Sequence, residues 1–155
     1  MSAAPRRSSR ARKRPPSRQA SRRLALQALY QWQLAGHEAQ ELITQFLADE
    51  EMNRADVAFF ESLVRGCLAD CAALRSLVTP LLDRPLEQLD PVEHGLLLLA
   101  TLELRDHPET PWRVVIKEAV GLALQFGAEQ SHTYINGVLD KLARELRPQE
   151  TAAPQ

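Results

Sequence analysis

No apolar run in this chain of 155 residues reaches the roughly 20 residues that a bilayer span requires, and its start lacks the apolar core of a signal peptide. Neither a membrane span nor a secretion signal is expected. No segment alternates apolar and polar residues over the length of a strand, so nothing points to a sheet. There is no glycine-rich phosphate loop, no nucleophile elbow and no dinucleotide fingerprint. The four histidines, His37, His94, His107 and His132, never pair at metal-ligand spacing. Glu129-x-x-His132 is half of a di-iron bundle motif without its second half. No active site, cofactor or metal is therefore expected. Cysteine is scarce: Cys67 and Cys71 stand four apart on a helical pattern and read as buried, reduced thiols, which fits a cytoplasmic location.

Acidic residues are missing from the first 23 positions, and this absence is the most informative one. That stretch holds nine of the 19 Lys and Arg (Arg6, Arg7, Arg10, Arg12, Lys13, Arg14, Arg18, Arg22 and Arg23), which leaves ten for the rest against all 20 acids. The net charge of −1 thus conceals an acidic body with a basic arm. Such an arm suits a polyanion, by neutralising phosphates. Residues 1–17 are rich in Arg, Ser and Pro without apolar period and are expected to be disordered when free. A nucleic-acid-binding arm is favoured over a solvated tail or a transit peptide; against the transit peptide, Pro5, Pro15 and Pro16 interrupt any amphipathic helix.

What the chain does have is helical period. The composition is 45% apolar, enough for one core over residues 18–148, with a loose tail at 149–155. A first helix is predicted from Ser21 to Ala35, ended by Gly36, with Ala25, Ala28, Leu29 and Trp32 buried. Arg23, Gln27 and Tyr30 share another face, offering a cation, an amide and a phenol. Leu42, Ile43 and Phe46 mark a second helix. Asn53 is read as the cap of a long helix, or of two with a bend, running to Pro80. Asp90-Pro91-Val92-Glu93 is a capping-box start, and the leucines from Leu96 to Leu104 predict the central, most buried helix. Thr110-Pro111 starts another helix, whose buried stripe includes Phe126. Gly127 is expected to end it with positive φ, and Ser131 to cap the last helix, which stops by Pro148. Gly137 within that helix predicts a close helix–helix approach. Between the two helices lies a corner with two aromatics, Phe126 and Tyr134, and several hydrogen-bonding groups.

Three blocks in this order resemble the NusB family of bacterial transcription antitermination factors. They are Arg22 to Trp32 (RRLALQALYQW), Pro111 to Ala119 with its IKEA, and above all Phe126 to Asp140 (FGAEQSHTYINGVLD). The resemblance covers roughly Arg18 to Pro148. It implies an all-α fold of about seven helices in two packed helical subdomains. It further implies binding of boxA-type leader RNA of ribosomal RNA operons, together with the small-subunit ribosomal protein NusE, in a complex that helps RNA polymerase resist termination. By the same resemblance, Arg18, Arg22, Arg23, Gln27, Phe126, Gln130 and Tyr134 are expected to contact RNA. Tyr30, Glu87 and Glu93 are expected to face NusE. The chain departs from the family pattern at Leu98, where Arg is frequent, at Leu102, where Tyr is frequent, and at Gln130, where an acid is common. Two other functions compete: the RNA-binding domain of a ribosomal RNA cytosine methyltransferase, and a pure protein adaptor. Whether the free protein is a monomer or a homodimer stays open.

Overall fold

The computed structural model describes residues 15–153. Arg6 to Arg14, most of the basic arm, lie outside the described residues, and so does the expectation of disorder for them. Eight α-helices occur among the described residues: α1 Arg18–Ala35, α2 Ala39–Leu47, α3 Val57–Ala69, α4 Cys71–Val78, α5 Pro91–Asp106, α6 Trp112–Phe126, α7 Ser131–Leu146 and α8 Pro148–Ala152. Short 3₁₀ turns at Glu50–Arg54, Thr79–Leu81 and Leu86–Gln88 join them. The fold is all-α, and α5 is its axis. Helices α1, α3 and α4 pack on one side of α5, and α6 and α7 pack on it and on each other, which makes the two helical groups.

Helix α5 takes this position because it has no polar face over most of its length. From Glu93 to Leu104 every residue is buried, and each enclosed leucine contributes about 1.5–3 kcal/mol relative to exposure. Leu98 and Leu102, the two departures from the family pattern, belong to this core. Gly95 lets α1 come close, since a Cβ there would stand 3.0 Å from Leu26 Cδ1. The capping box at its start forms as the sequence predicts: the Glu93 amide donates to Asp90 Oδ1 at 2.8 Å, and the Asp90 amide to Glu93 Oε1 at 3.4 Å.

Several helix ends differ from expectation. Helix α1 begins at Arg18, and its cap is Ser17, whose Oγ accepts from the Ala20 amide at 3.0 Å. Ser17 is also tied to the segment before α3, donating its amide to Arg54 O at 2.8 Å and accepting from the Asp56 amide at 3.2 Å. The cap of α3 is Asp56 instead of Asn53, which falls inside the 3₁₀ turn. The pattern from Val57 to Val78 is two helices broken at Asp70. Gly36 ends α1 in the left-handed region at φ 72°. Gly127 does not; its φ of −88° is open to any residue. Glycine is needed there for space, because a Cβ would meet Ala123 O at 2.7 Å and Ser131 Cβ at 3.0 Å. Gly137 packs against nothing: a Cβ there would find no atom within 4 Å, so the predicted close approach is absent. Beyond Pro148, where a loose tail is expected, residues 148–152 form α8. Its Glu150 accepts from the Trp112 amide at 2.8 Å and from Arg147 at 2.8 Å.

Candidate nucleic-acid interface

The first two turns of α1 carry the arginines on which the basic arm ends, and the fold flanks them with acids on both sides. Arg18 is 40% exposed at its side chain; its Nη1 donates to Glu109 Oε2 at 3.0 Å, and its Nε lies 3.7 Å from Asp56 Oδ2. Its guanidinium stacks 4.1 Å above the centre of the Phe59 ring. Glu109 also accepts from His107 at 3.0 Å. Its own backbone amide, His107 and Arg18 hold its carboxyl down to about 2. Arg23 places both Nε and Nη2 on Glu51 Oε1, at 3.2 and 3.0 Å.

Arg22 does not belong to this surface. It is 6% exposed and grips Glu103 of α5 with two bonds, Nε to Oε2 at 2.7 Å and Nη2 to Oε1 at 2.8 Å. Arg22, expected at RNA, sits in this structure as a buried strut between α1 and α5. An arginine one turn into a helix that packs on both sides must find its counter-charge inside, since an unpaired buried charge costs several kcal/mol. Periodicity shows Arg22 as a polar position and carries no signal for Glu103, 81 residues away.

Across a groove from α1 stands α6. Gln19 and Arg23 on one wall face Lys117, Leu124 and Gln125 on the other, around a volume of about 520 Å³. Leu124 is 63% exposed, and Lys117 is exposed as well. Sequence reasoning missed these α6 residues, although Lys117 sits in the IKEA block and Leu124 falls off the buried stripe of its helix. The groove runs to Gln125, next to Phe126. Helical spacing puts that ring on the buried stripe, but it is 38% exposed at the helix end. Gln130 is exposed and occupies the cap position of α7 without a side-chain capping bond. Gln27 is half-buried on α1.

Tyr134 faces elsewhere. The Arg84 guanidinium lies 4.4 Å from its ring centre, so the turn before α5 covers one side of it. Its buried hydroxyl has no partner in bonding geometry among the described residues. Burial pushes the phenol pKa up, and the nearby Asp83 carboxylate acts in the same direction. Of the residues expected at NusE, Tyr30 is 43% exposed on α1, and Glu87 is exposed in the turn at Leu86–Gln88. Glu93 is not available to a partner in the same way. It is buried, closes its capping box, and accepts from Ser131 Oγ at 2.8 Å. Ser131, predicted as a cap, is the first residue of α7 and serves to tie the corner to α5.

Two polar networks fix these elements. Arg147 is buried beneath the end of α5, where it donates to the carbonyls of Glu103, Leu104, His107 and Thr110 and to Glu150. It thereby satisfies carbonyls that the helix end leaves open and fixes the loop that carries Glu109. His94 is the second centre. Arg75 Nε donates to its Nε2 at 3.1 Å, which makes Nδ1 the protonated nitrogen that donates to Gln33 Oε1 at 2.8 Å. Burial, with Arg75 beside it, pushes the pKa of His94 down to about 4. Cys67 is buried, Cys71 is half-buried and both are free; burial pushes each thiol up, away from reactivity. Among the described residues no group of His, Cys, Asp or Glu is arranged to hold a metal ion, and no helix is long and apolar enough to cross a membrane.

The chain's likeness to known proteins agrees with this architecture. The model of the NusB family matches residues 19–144. The chain is 48% identical over 137 residues to the transcription antitermination protein NusB of Burkholderia lata, an alignment covering 88% of this chain and 94% of that one. The protein of the same name from Alcanivorax borkumensis is 46% identical over 138 residues, covering 89% of this chain and 92% of the relative. Among solved structures, T. maritima NusB superposes with a TM-score of 0.78 at 23% identity, over 90% of this chain and 100% of that chain. A NusB solved with NusE and double-stranded RNA superposes with a TM-score of 0.73 at 24% identity, over 83% of this chain and 96% of that chain. A match that spans the first helix, the central helix and the closing corner together, at such identity to curated relatives, makes this chain a member of the NusB family.

Proposed function

We propose that this protein is a cytoplasmic transcription antitermination factor. It binds boxA-type leader RNA of ribosomal RNA operons together with NusE, and the complex helps RNA polymerase resist termination. The observation that carries this reading is the near full-length likeness to proteins named for transcription antitermination. The methyltransferase alternative finds no support, since those alignments cover 92–94% of relatives bearing that name. The RNA path runs from the arm over Arg18 and Arg23, past Gln27, along the groove between α1 and α6, to Phe126 and Gln130. Arginine supplies phosphate contacts, while the exposed ring and amides suit unstacked bases. Tyr134 lines the far end of the corner, with the stack on Arg84 holding it. The NusE face contains Tyr30 and Glu87; Glu93 supports it from beneath by locking α5 to α7.

The test is a titration of labelled boxA-type RNA with the full chain, with and without NusE. Tighter RNA binding in the presence of NusE is expected. A chain that binds NusE with unchanged affinity but never RNA would be a protein adaptor, and the reading would fail.

A further inference from the structure

Arg18 and Arg23 are not free cations waiting for phosphate. The side edge of Arg23, formed by Nε and Nη2, is taken by Glu51 Oε1. Arg18 has Nη1 on Glu109, Nε toward Asp56 and its face on Phe59. A phosphate bound bidentately at the side edge of Arg23, or at Nη1 of Arg18, meets these carboxylates as competitors. These acids are also held in place. Asp49 caps the turn that carries Glu51 by accepting from its amide at 2.8 Å. The same segment is sewn to the start of α1 through Ser17, and Arg147 fixes the carbonyls of His107 and Thr110 on either side of Glu109. The first turns of α1 therefore lie between two tethered segments, one presenting Glu51 and Asp56 to the arginines and the other Glu109.

We propose that Glu51 and Glu109 set the selectivity of this surface by competing with phosphate for Arg23 and Arg18. The inference rests on the RNA reading above. A polyanion that offers only charge must displace or share these carboxylates for little return. An RNA that also engages the groove and the corner offsets that cost with its base contacts. The two acids act through the arginines and do not touch RNA themselves. Both pairs are solvent-exposed, with side chains 50% exposed at Glu51 and 52% at Glu109, so the effect of each is modest. An exposed pair corresponds to about a two- to fivefold change in an equilibrium constant.

The experiment uses the full chain with two labelled single-stranded oligoribonucleotides of equal length, one of boxA type and one of scrambled sequence. Glu51→Gln and Glu109→Gln should each tighten binding of the scrambled RNA by about two- to fivefold and of boxA RNA by less, with unchanged melting temperature. Glu50→Gln is the control for bulk charge, because Glu50 is exposed on the same turn and makes none of the described ion pairs. It should change binding less than Glu51→Gln does. In an Arg23→Gln background, Glu51→Gln should have no effect beyond that of Glu50→Gln, since the arginine it acts through is gone. Equal effects of Glu50→Gln and Glu51→Gln, or weaker binding by Glu51→Gln, would overturn the competition while leaving the RNA reading intact. Failure of the unaltered chain to bind either RNA would overturn both.

Discussion

Replacing Arg22 separates a structural arginine from an RNA-contacting one. Its side chain is 8% exposed and that of Glu103 is 3% exposed, and the two share bonds of 2.7 and 2.8 Å. Glu118, 4.0 Å from the same guanidinium, adds a second negative charge. Arg22→Ala leaves Glu103 buried without its partner, and loss of one member of a buried pair costs about 3–5 kcal/mol. For a domain of this size each kcal/mol lowers Tm by roughly 2–4 °C, so a fall on the order of 10 °C is expected in a thermal melt followed by circular dichroism. Arg22→Met with Glu103→Leu removes both charges and keeps volume and apolar contact; it should recover most of that loss. The RNA assay supplies the other half. If Arg22 neutralised a phosphate of single-stranded RNA, its loss would lower the slope of log K against log salt by about 0.7. The structure predicts no change in slope for the double variant, which keeps its fold. A normal Tm for Arg22→Ala, with the slope reduced by that amount, would refute the buried-strut assignment.

Glu93→Lys places a cation where the capping box and Ser131 need a carboxylate, so Tm should fall, whereas Glu93→Gln retains the box and should cost under about 1 kcal/mol; urea titration distinguishes them. His94 titrates near 6.5 when unfolded and near 4 in the fold. The unfolded chain thus takes up the proton first, stability falls as pH drops from about 6.5 to about 4, and the loss is on the order of 2 kcal/mol. His94→Gln should flatten the stability profile in that window, and an unchanged profile would contradict the network. Gln130→Asp puts an acid at the cap of α7 beside the RNA path. It should raise Tm slightly and weaken RNA a few-fold at low salt, one charge pair at roughly 8 Å in water being worth about 0.5 kcal/mol. Deleting residues 1–14, which spares the Ser17 cap, should leave Tm unchanged and flatten the salt dependence of RNA binding; an unaltered slope would exclude the arm from phosphate contact.

The sequence by itself determined what depends on near neighbours. Helical period follows from spacings of three and four, so the helices, the all-α class and the buried leucines of α5 were legible without the fold. The same holds for Asp90-Pro91-Val92-Glu93, since a capping box closes within four residues, and for the charge division between arm and body. The family's blocks were also legible, being contiguous runs. What only the tertiary structure decided is where each charge goes. Arg22, Arg23 and Arg18 look alike in sequence, yet one is enclosed against Glu103 and two sit at the surface on acids from the segments at Glu51 and Glu109. Nothing in the sequence sets Arg147 apart from other arginines, yet it is buried under the carbonyls of α5. Glu93 reads as a helix cap and is one, but its second bond, to Ser131, comes from 38 residues along the chain. A charged or polar side chain has no preferred neighbour in sequence beyond a turn or so. Its partner is selected by the packing that removes it from water, and that packing exists only once the helices have met.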